Sequence, residues 1–204
     1  VTMSGNTINL FDDAFDFDIS NMSNVTVSGN TATGFEDNGI ENYTEYGSTL
    51  MISGNTLTGN ATGDIGIDVD TEYGADTTVT GNTINSVQDY GIYESYPYGG
   101  STFTCTNNTI TMIANAGGGY GIYTSSTEYG SHSVITGNTV TNYDYCGIYE
   151  GYPYAGSTYL CENNTLDALD ATGSDYGIWV DYPEYGSTAT IHNNTARDFN
   201  YCGI

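Results

Sequence analysis

Apolar and polar positions alternate along this chain in short segments, and Gly or Asn interrupts the segments at regular intervals. One phrase, Gly-Asn-Thr or Asn-Asn-Thr, returns at spacings that range from 24 (Asn6 to Asn30) to 30 (Asn108 to Asn138). Gly-Ile, and then Tyr-Gly-Ser or a close variant, follow it in a fixed order. Three markers with this period predict a stack of repeated coils. The central Asn of the phrase is Asn6, Asn30, Asn55, Asn82, Asn108, Asn138, Asn164 and Asn194.

Three positions in each repeat are apolar almost without exception. They lie three residues before the central Asn, two residues after it, and at the Ile of Gly-Ile. Because strand side chains alternate between two faces, this pattern predicts three short strands per coil with their inner faces in one core. We therefore predict an all-β fold, a parallel β-helix (β-solenoid) of about 7–8 coils. It is expected to form a single domain over residues 1–204.

The later coils also repeat with a longer sequence period. A shift of 56 positions takes Cys105 to Cys161 and Cys146 to Cys202, and Tyr-Pro-Tyr returns with it, so the duplicated unit is a pair of unequal coils. The cysteines form two inward-facing columns. Pairing Cys105 with Cys146 and Cys161 with Cys202 gives both pairs the same spacing in sequence, but Cys146 and Cys161 lie closer along the axis. Disulfides and buried free thiols both remain open.

The repeated Asn has a structural explanation. Asn at a tight bend tolerates the left-handed backbone, and the preceding Gly permits the bend. With coils stacked about 4.8 Å apart, each Asn amide can bond the Asn of the next coil. We therefore predict a hydrogen-bonded Asn ladder that holds the coils together.

Ser-Gly-Asn-Thr-Ile, Thr-Gly-Asn-Thr-Ile and Tyr-Gly-Ile resemble the repeats of the pectate-lyase-like, right-handed parallel β-helix superfamily. The resemblance covers nearly the whole chain but concerns scaffold positions. Members include polysaccharide lyases and hydrolases, phage tailspikes and microbial surface proteins. It implies a right-handed coil, an extracellular setting and a link to carbohydrate, but no particular activity.

Charge excludes several classes of partner. Asp and Glu total 25 against a single Arg and no Lys, a net charge of −24. Nucleic-acid binding needs a basic face, and anionic lipid headgroups would repel this chain. No apolar run approaches the roughly 20 residues that cross a bilayer, so we expect no membrane insertion.

The candidate catalytic groups are sparse. A superfamily lyase needs a base beside its acids, and Arg197 stands alone with His132 and His192. Asp68 and Asp70, with Asp16, Asp18 or Glu41 from neighbouring coils, could serve as paired carboxylates for glycoside hydrolysis. However, no insertion is long enough to build a cleft wall. The sequence therefore favours a non-enzymatic role and assigns no catalytic residue.

The residue after Gly-Ile faces outward by alternation. If Ala14-Phe15 takes the first Gly-Ile place, this position is acidic in the lower coils, at Asp16, Glu41 and Asp68. Stacked carboxylates repel one another, and oxygen ligands favour Ca²⁺, so a Ca²⁺ site is one prediction and a hydrated acidic face is the other. The upper coils carry an exposed aromatic ladder at Tyr93, Tyr123, Tyr149 and Trp179. It could bind sugars or protein, or stabilise the coil by stacking.

Two Thr-x-Thr pairs, Thr102/Thr104 and Thr188/Thr190, raise the question of ice binding. They are not continuous from coil to coil, which argues against it.

Both ends of the chain lie within strand patterns and show no cap, so the sequence is either open to stacking or an excerpt of a longer solenoid. The main functional prediction is a structural protein of the cell exterior or cell surface. It would be a subunit of a head-to-tail filament that associates through its coil ends, or a segment of an adhesive fibre. The alternative is a carbohydrate-binding or carbohydrate-cleaving β-helix.

Overall fold

The fold was determined as a computed structural model that describes residues 1–9, 12–60, 65–114, 117–168 and 176–204. Within these ranges the chain forms three parallel sheets that run along one axis. No helix long and apolar enough to cross a bilayer occurs among the described residues.

Sheet A is built from the segments that precede the repeated Asn. Each strand pairs in parallel with the strands one coil earlier and one coil later. Its strands are Thr2–Ser4, Asn24–Ser28, Thr49–Ser53, Asp76–Thr80, Thr102–Thr106, His132–Thr136, Thr158–Glu162 and Thr188–His192.

Sheet B begins directly after the repeated Asn, and its strands are paired in the same parallel way. They are Thr7–Asn9, Thr31–Phe35, Thr56–Gly59, Thr83–Val87, Thr109–Met112, Thr139–Thr141, Thr165–Asp167 and Thr195–Arg197.

Sheet C contains the Gly-Ile phrase and completes each coil. Its strands are Asp16–Ile19, Asn38–Thr44, Ile65–Thr71, Tyr90–Glu94, Tyr120–Thr124, Cys146–Glu150 and Tyr176–Val180. The predicted parallel β-helix with three strands per coil is therefore confirmed.

The three apolar columns meet in one continuous core, as the pattern predicted. Residues from sheets A, B and C of neighbouring coils have no exposed surface and form one cluster. Parallel in-register pairing places similar apolar side chains on top of one another along the axis. Examples from the middle coils are Ile52, Val79, Leu57, Ile84, Ile67 and Ile92.

The Asn ladder is present and fully hydrogen-bonded in its interior. The Nδ2 of Asn82 donates to Oδ1 of Asn108 and to the carbonyl of Ile52, both at 3.0 Å. The backbone N–H of Asn82 donates to the same Oδ1 at 3.0 Å. In turn, Oδ1 of Asn82 accepts the backbone N–H of Asn55 at 3.0 Å and its Nδ2 at 2.9 Å. The ladder therefore satisfies polar groups that burial would otherwise penalise.

The bend lies one residue earlier than the sequence interpretation placed it. The residue ahead of the ladder Asn, not the Asn itself, has the left-handed backbone, with φ of 63° at Gly81 and 54° at Asn107. Gly takes this conformation at little steric cost, and Asn tolerates it better than other side chains. This explains why the phrase begins with either Gly or Asn.

The Gly of Gly-Ile has a different role. It lies where adjacent coils approach most closely, and a Cβ on Gly91 would be 2.5 Å from the carbonyl oxygen of Gly121. It would also lie 2.4 Å from Cγ2 of Ile110. Close packing therefore requires a residue without a side chain at this point of each coil.

Candidate functional site

The outer face of sheet C brings the predicted acidic and aromatic residues into one register column. Asp16 pairs with Glu41, and Glu41 pairs with Asp68. Asp68 pairs with Tyr93, and the column continues upward through the aromatic row. The alignment of Phe15 with the Ile of Gly-Ile is thereby confirmed, because Asp16 is the partner of Glu41.

A second outward column lies two residues further along each strand. Asp18 pairs with Tyr43, and Tyr43 pairs with Asp70. The two columns line an open cleft, with a cavity volume of about 220 Å³, that is also lined by Tyr93 and Ser95. We call this the acidic cleft. Its carboxyl groups are Asp16, Asp18, Glu41, Asp68 and Asp70.

Burial and mutual repulsion raise the pKa values of the central carboxyls. Burial, together with the charges of Glu41 and Asp70, raises the pKa of Asp68 to about 7. Burial likewise raises the pKa of Asp70 to about 6, against a hydrogen bond from Ser95 that favours the charged form. Burial and the nearby charges of Asp13 and Asp16 raise the pKa of Glu41. Near neutral pH, Asp68 can therefore donate a proton while its neighbours accept hydrogen bonds.

The ion pairs formed by the described residues lie away from the cleft. His192 Nε2 is 2.8 Å from Glu162, and Arg197 is 3.6 Å from Asp167. Within the described ranges, no group of three or more His, Cys, Asp or Glu side chains is arranged so that it could hold a metal ion. Ca²⁺ binding by Asp16, Glu41 and Asp68 stays a prediction, and a Ca²⁺ titration followed by melting temperature checks it.

The aromatic row departs from the prediction of freely exposed rings. Tyr93, Tyr123, Tyr149 and Trp179 are half-buried. Ring centroids of Tyr93 and Tyr123 lie 5.3 Å apart at 21°, and those of Tyr123 and Tyr149 lie 4.7 Å apart at 22°. Tyrosines at the same register position one coil apart stack on each other, so their ring faces are covered. The geometry favours the stacking role for the middle of the row.

The lower end of the row is different. Tyr93 is its first ring, so Tyr123 covers one side of it, whereas its in-register neighbour on the other side is the carboxyl of Asp68. Tyr93 is also the member of the row that lines the acidic cleft. The aromatic row and the acidic cleft therefore meet at Asp68 and Tyr93.

Two buried glutamates were missed in the sequence interpretation. Glu94 has no exposed surface, and its carboxylate accepts the backbone N–H of Thr71 at 3.0 Å and the Thr71 hydroxyl at 2.9 Å. Glu150 takes the same place in the next two-coil unit and is equally buried, beside Thr127. Burial raises the pKa of Glu150 to about 8 and that of Glu94 well above its usual range. In Gly-Ile-Tyr-Glu, alternation from the inward Ile would have placed the Glu inside.

The four cysteines are free thiols in the structure. Cys105, Cys146 and Cys161 are buried, and Cys202 is partly exposed. Cys105 and Cys161 lie in one column of sheet A with Ile135 between them. Cys146 and Cys202 lie on the sheet C side, with Tyr176 between them. Of the two alternatives, the structure has free thiols rather than disulfides, and three of the four are buried.

A family model described as the right handed beta helix region matches residues 1–129, more than half of the chain. No curated protein and no solved structure matches this sequence.

Proposed function

Because the chain belongs to the right-handed beta-helix family, we propose that it is a rigid rod of the cell exterior that binds carbohydrate in the acidic cleft. The observation that carries this proposal is the meeting of carboxyl groups and an aromatic ring in one cleft, at Asp68, Asp70 and Tyr93.

The lining of the cleft matches the chemistry of a sugar. Sugar hydroxyls are hydrogen-bond donors, and charged carboxylates are the strongest side-chain acceptors for them. The apolar C–H face of a sugar ring packs against an aromatic ring such as Tyr93. Ser95 and Tyr43 add hydroxyl groups that donate or accept. A few convergent polar groups beside an aromatic wall are typical of small-molecule sites.

The negative charge of the cleft disfavours acidic sugars relative to neutral or basic ones. It has five carboxyl groups, and the whole chain has no Lys and one Arg, which pairs with Asp167. A uronic acid would be repelled, whereas neutral and amino sugars would not. We therefore infer a neutral or basic glycan as the ligand.

The rod itself supports a role outside the cell. A continuous apolar core and a fully bonded Asn ladder run through the described coils, so the cleft is held on a stiff support. The family resemblance to surface and carbohydrate-active proteins points to the same setting. Assembly into filaments stays a prediction, and negative-stain electron microscopy of the purified protein checks it.

The binding proposal is tested with a glycan array followed by isothermal titration calorimetry on the ligands found. Asp68→Asn and Tyr93→Ala should each abolish binding, whereas Asp76→Asn on the exposed face of sheet A should leave it unchanged. Absence of binding to every neutral and basic glycan would overturn the proposal, as would full binding by Asp68→Asn. Release of new reducing ends by the wild type, absent in Asp70→Asn, would extend the proposal from binding to cleavage.

A further inference from the structure

The outer face of sheet B presents threonine at one register position of every strand. This position directly follows the ladder Asn, and the pairing aligns it from the first coil to the last. The column consists of Thr7, Thr31, Thr56, Thr83, Thr109, Thr139, Thr165 and Thr195. The Asn-Thr phrase thus has two roles, because the Asn faces inward and the Thr faces outward.

A second column lies two residues further along the same strands. It contains four more threonines, together with two Asn, one Asp and one Arg. Its members are Asn9, Thr33, Thr58, Asn85, Thr111, Thr141, Asp167 and Arg197. We call these two columns together the threonine face.

The threonine face is neutral on a very acidic protein. Its first six strands carry no charged residue in either column, although the chain has a net charge of −24. The two charges of the last two strands, Asp167 and Arg197, are 3.6 Å apart and offset each other. The outer face of sheet C, in contrast, stacks Asp16, Glu41 and Asp68. The threonine face therefore fits an uncharged partner.

The side chains of this face form a regular, preorganised grid. Neighbouring strands of a sheet lie about 4.8 Å apart, and outward positions two residues apart on a strand lie about 6.6 Å apart. Threonine is branched at Cβ, which restricts its rotamers. The residue between the two columns is anchored in the core, as for Leu57, Ile84 and Ile110. In the second column, the Thr141 hydroxyl lies 3.3 Å from the carbonyl oxygen of Ile110 and 3.4 Å from the Thr111 hydroxyl. Hydroxyl and methyl groups therefore repeat along the whole first column, and in four of the eight strands also across the two columns, on a rigid support.

We propose that the threonine face binds ice. The repeat of about 4.8 Å between strands is close to the oxygen–oxygen repeat along one axis of a prism face of hexagonal ice, so a row of hydroxyls can take lattice positions. Methyl groups between them favour ordered water, whereas charged groups hold a tight hydration shell that does not fit the lattice. A mobile soluble ligand needs a few convergent groups, whereas a crystal surface needs a flat periodic grid. The columns of sheet A that contain Thr102/Thr104 and Thr188/Thr190 are interrupted by other residues, whereas the first column of sheet B is threonine in every strand.

The test measures thermal hysteresis and uptake into a slowly growing ice hemisphere. Thr83→Tyr with Thr109→Tyr places two bulky rings in the middle of the threonine face, and tyrosine is well accepted in strands. The matched control, Thr78→Tyr with Thr104→Tyr, places the same rings at outward positions of the same two coils on sheet A. We expect hysteresis and ice uptake in the wild type and the control, and their loss in the sheet B variant.

Two results would overturn the proposal. One is a wild-type protein that shows neither hysteresis nor ice uptake, including one that instead binds crystalline chitin or cellulose or pairs with a second copy. The other is equal loss of activity in both double variants, because the threonine face would then have no special part. Circular dichroism of both variants confirms that the sheets remain folded.

Discussion

Asp68 and Tyr93 occupy the same register position on adjacent strands of sheet C, so a carboxyl group with a raised pKa lies beside the first ring of the aromatic row. This contact marks the boundary between the acidic and aromatic halves of one face. Below it, like charges are stacked at strand spacing. Above it, rings are stacked at the same spacing.

Replacement of Asp68 should make the protein more stable at high pH. The folded-state pKa is about 7 against an ordinary value of 3.8, so the folded form holds its proton more tightly than the unfolded chain. The contribution of Asp68 to stability is therefore fully present below pH 4 and is lost as pH rises through about 7. Asp68→Asn removes this loss. The difference between the urea midpoints at pH 4 and pH 8 should be smaller in this variant than in the wild type, although Asp70 and Glu150 still contribute to it, whereas Asp76→Asn should keep the wild-type difference.

Ionisation of Glu150 should also lower stability as pH rises, over a wider pH range than for Asp68. The pKa of Glu150 is raised from 4.5 to about 8, so the folded state loses stability relative to the unfolded chain as pH rises between these values. Glu150→Gln keeps the shape and cannot ionise, and it should be more stable than the wild type at pH 8. Glu184→Gln, at an exposed position outside the strands, provides the control. Identical pH profiles for wild type and Glu150→Gln would contradict a neutral Glu150 in the interior.

Breaking one rung of the Asn ladder should be costly. Asn82→Ala removes four side-chain hydrogen bonds and leaves Oδ1 of Asn108 and the carbonyl of Ile52 without the side-chain amide they bonded. An unpaired buried polar group costs about 1–3 kcal/mol, so we expect a loss of at least that size. Asn85→Ala, at an outward position three residues away, should change the urea midpoint little. A small effect for Asn82→Ala would show that water replaces the rung.

Substitution should destabilise the protein at Gly91 but be tolerated at Gly81. Gly91→Ala brings a methyl group within 2.5 Å of a backbone carbonyl, and overpacking of this type costs about 1–3 kcal/mol. Gly81→Asn should be tolerated, because Asn107 has the same positive φ at the equivalent place and nothing lies within 4 Å of the Gly81 Cβ position. Melting temperatures of the two variants measure the difference. Equal destabilisation would contradict the assignment of close coil contact to Gly91.

Thiol labelling should follow burial. Burial raises the pKa of Cys161 to about 12 and keeps Cys105 and Cys146 protonated, whereas Cys202 is partly exposed. Iodoacetamide at pH 8 should therefore modify Cys202 first in the folded protein. After unfolding without a reductant, mass spectrometry should find all four labelled. Protection of a pair under those conditions would indicate a disulfide.

Much of the fold could be predicted because period and alternation are local properties of the sequence. The column that contains Ile52 and Val79 is visible as an apolar residue three places before each Asn. Whether one side chain covers another depends on residues from different coils, which lie far apart in the sequence. The faces of Tyr123 are hidden because rings from the two adjacent coils stack on it, so exposure was predicted incorrectly. The cleft between Asp68 and Asp70 was likewise not foreseen, because it arises from register rather than from an inserted loop.

The direction of the Asn ladder has an electrical consequence. In all seven rungs the amide N–H points toward the following coil and the amide oxygen toward the preceding one. Aligned amide dipoles add up, as they do along an α-helix, and hydrogen bonds in a row polarise one another. The ladder therefore carries a dipole along the axis of the rod, inside the core. One end of the ladder is partially positive and the other partially negative, independently of the charged residues on the surface.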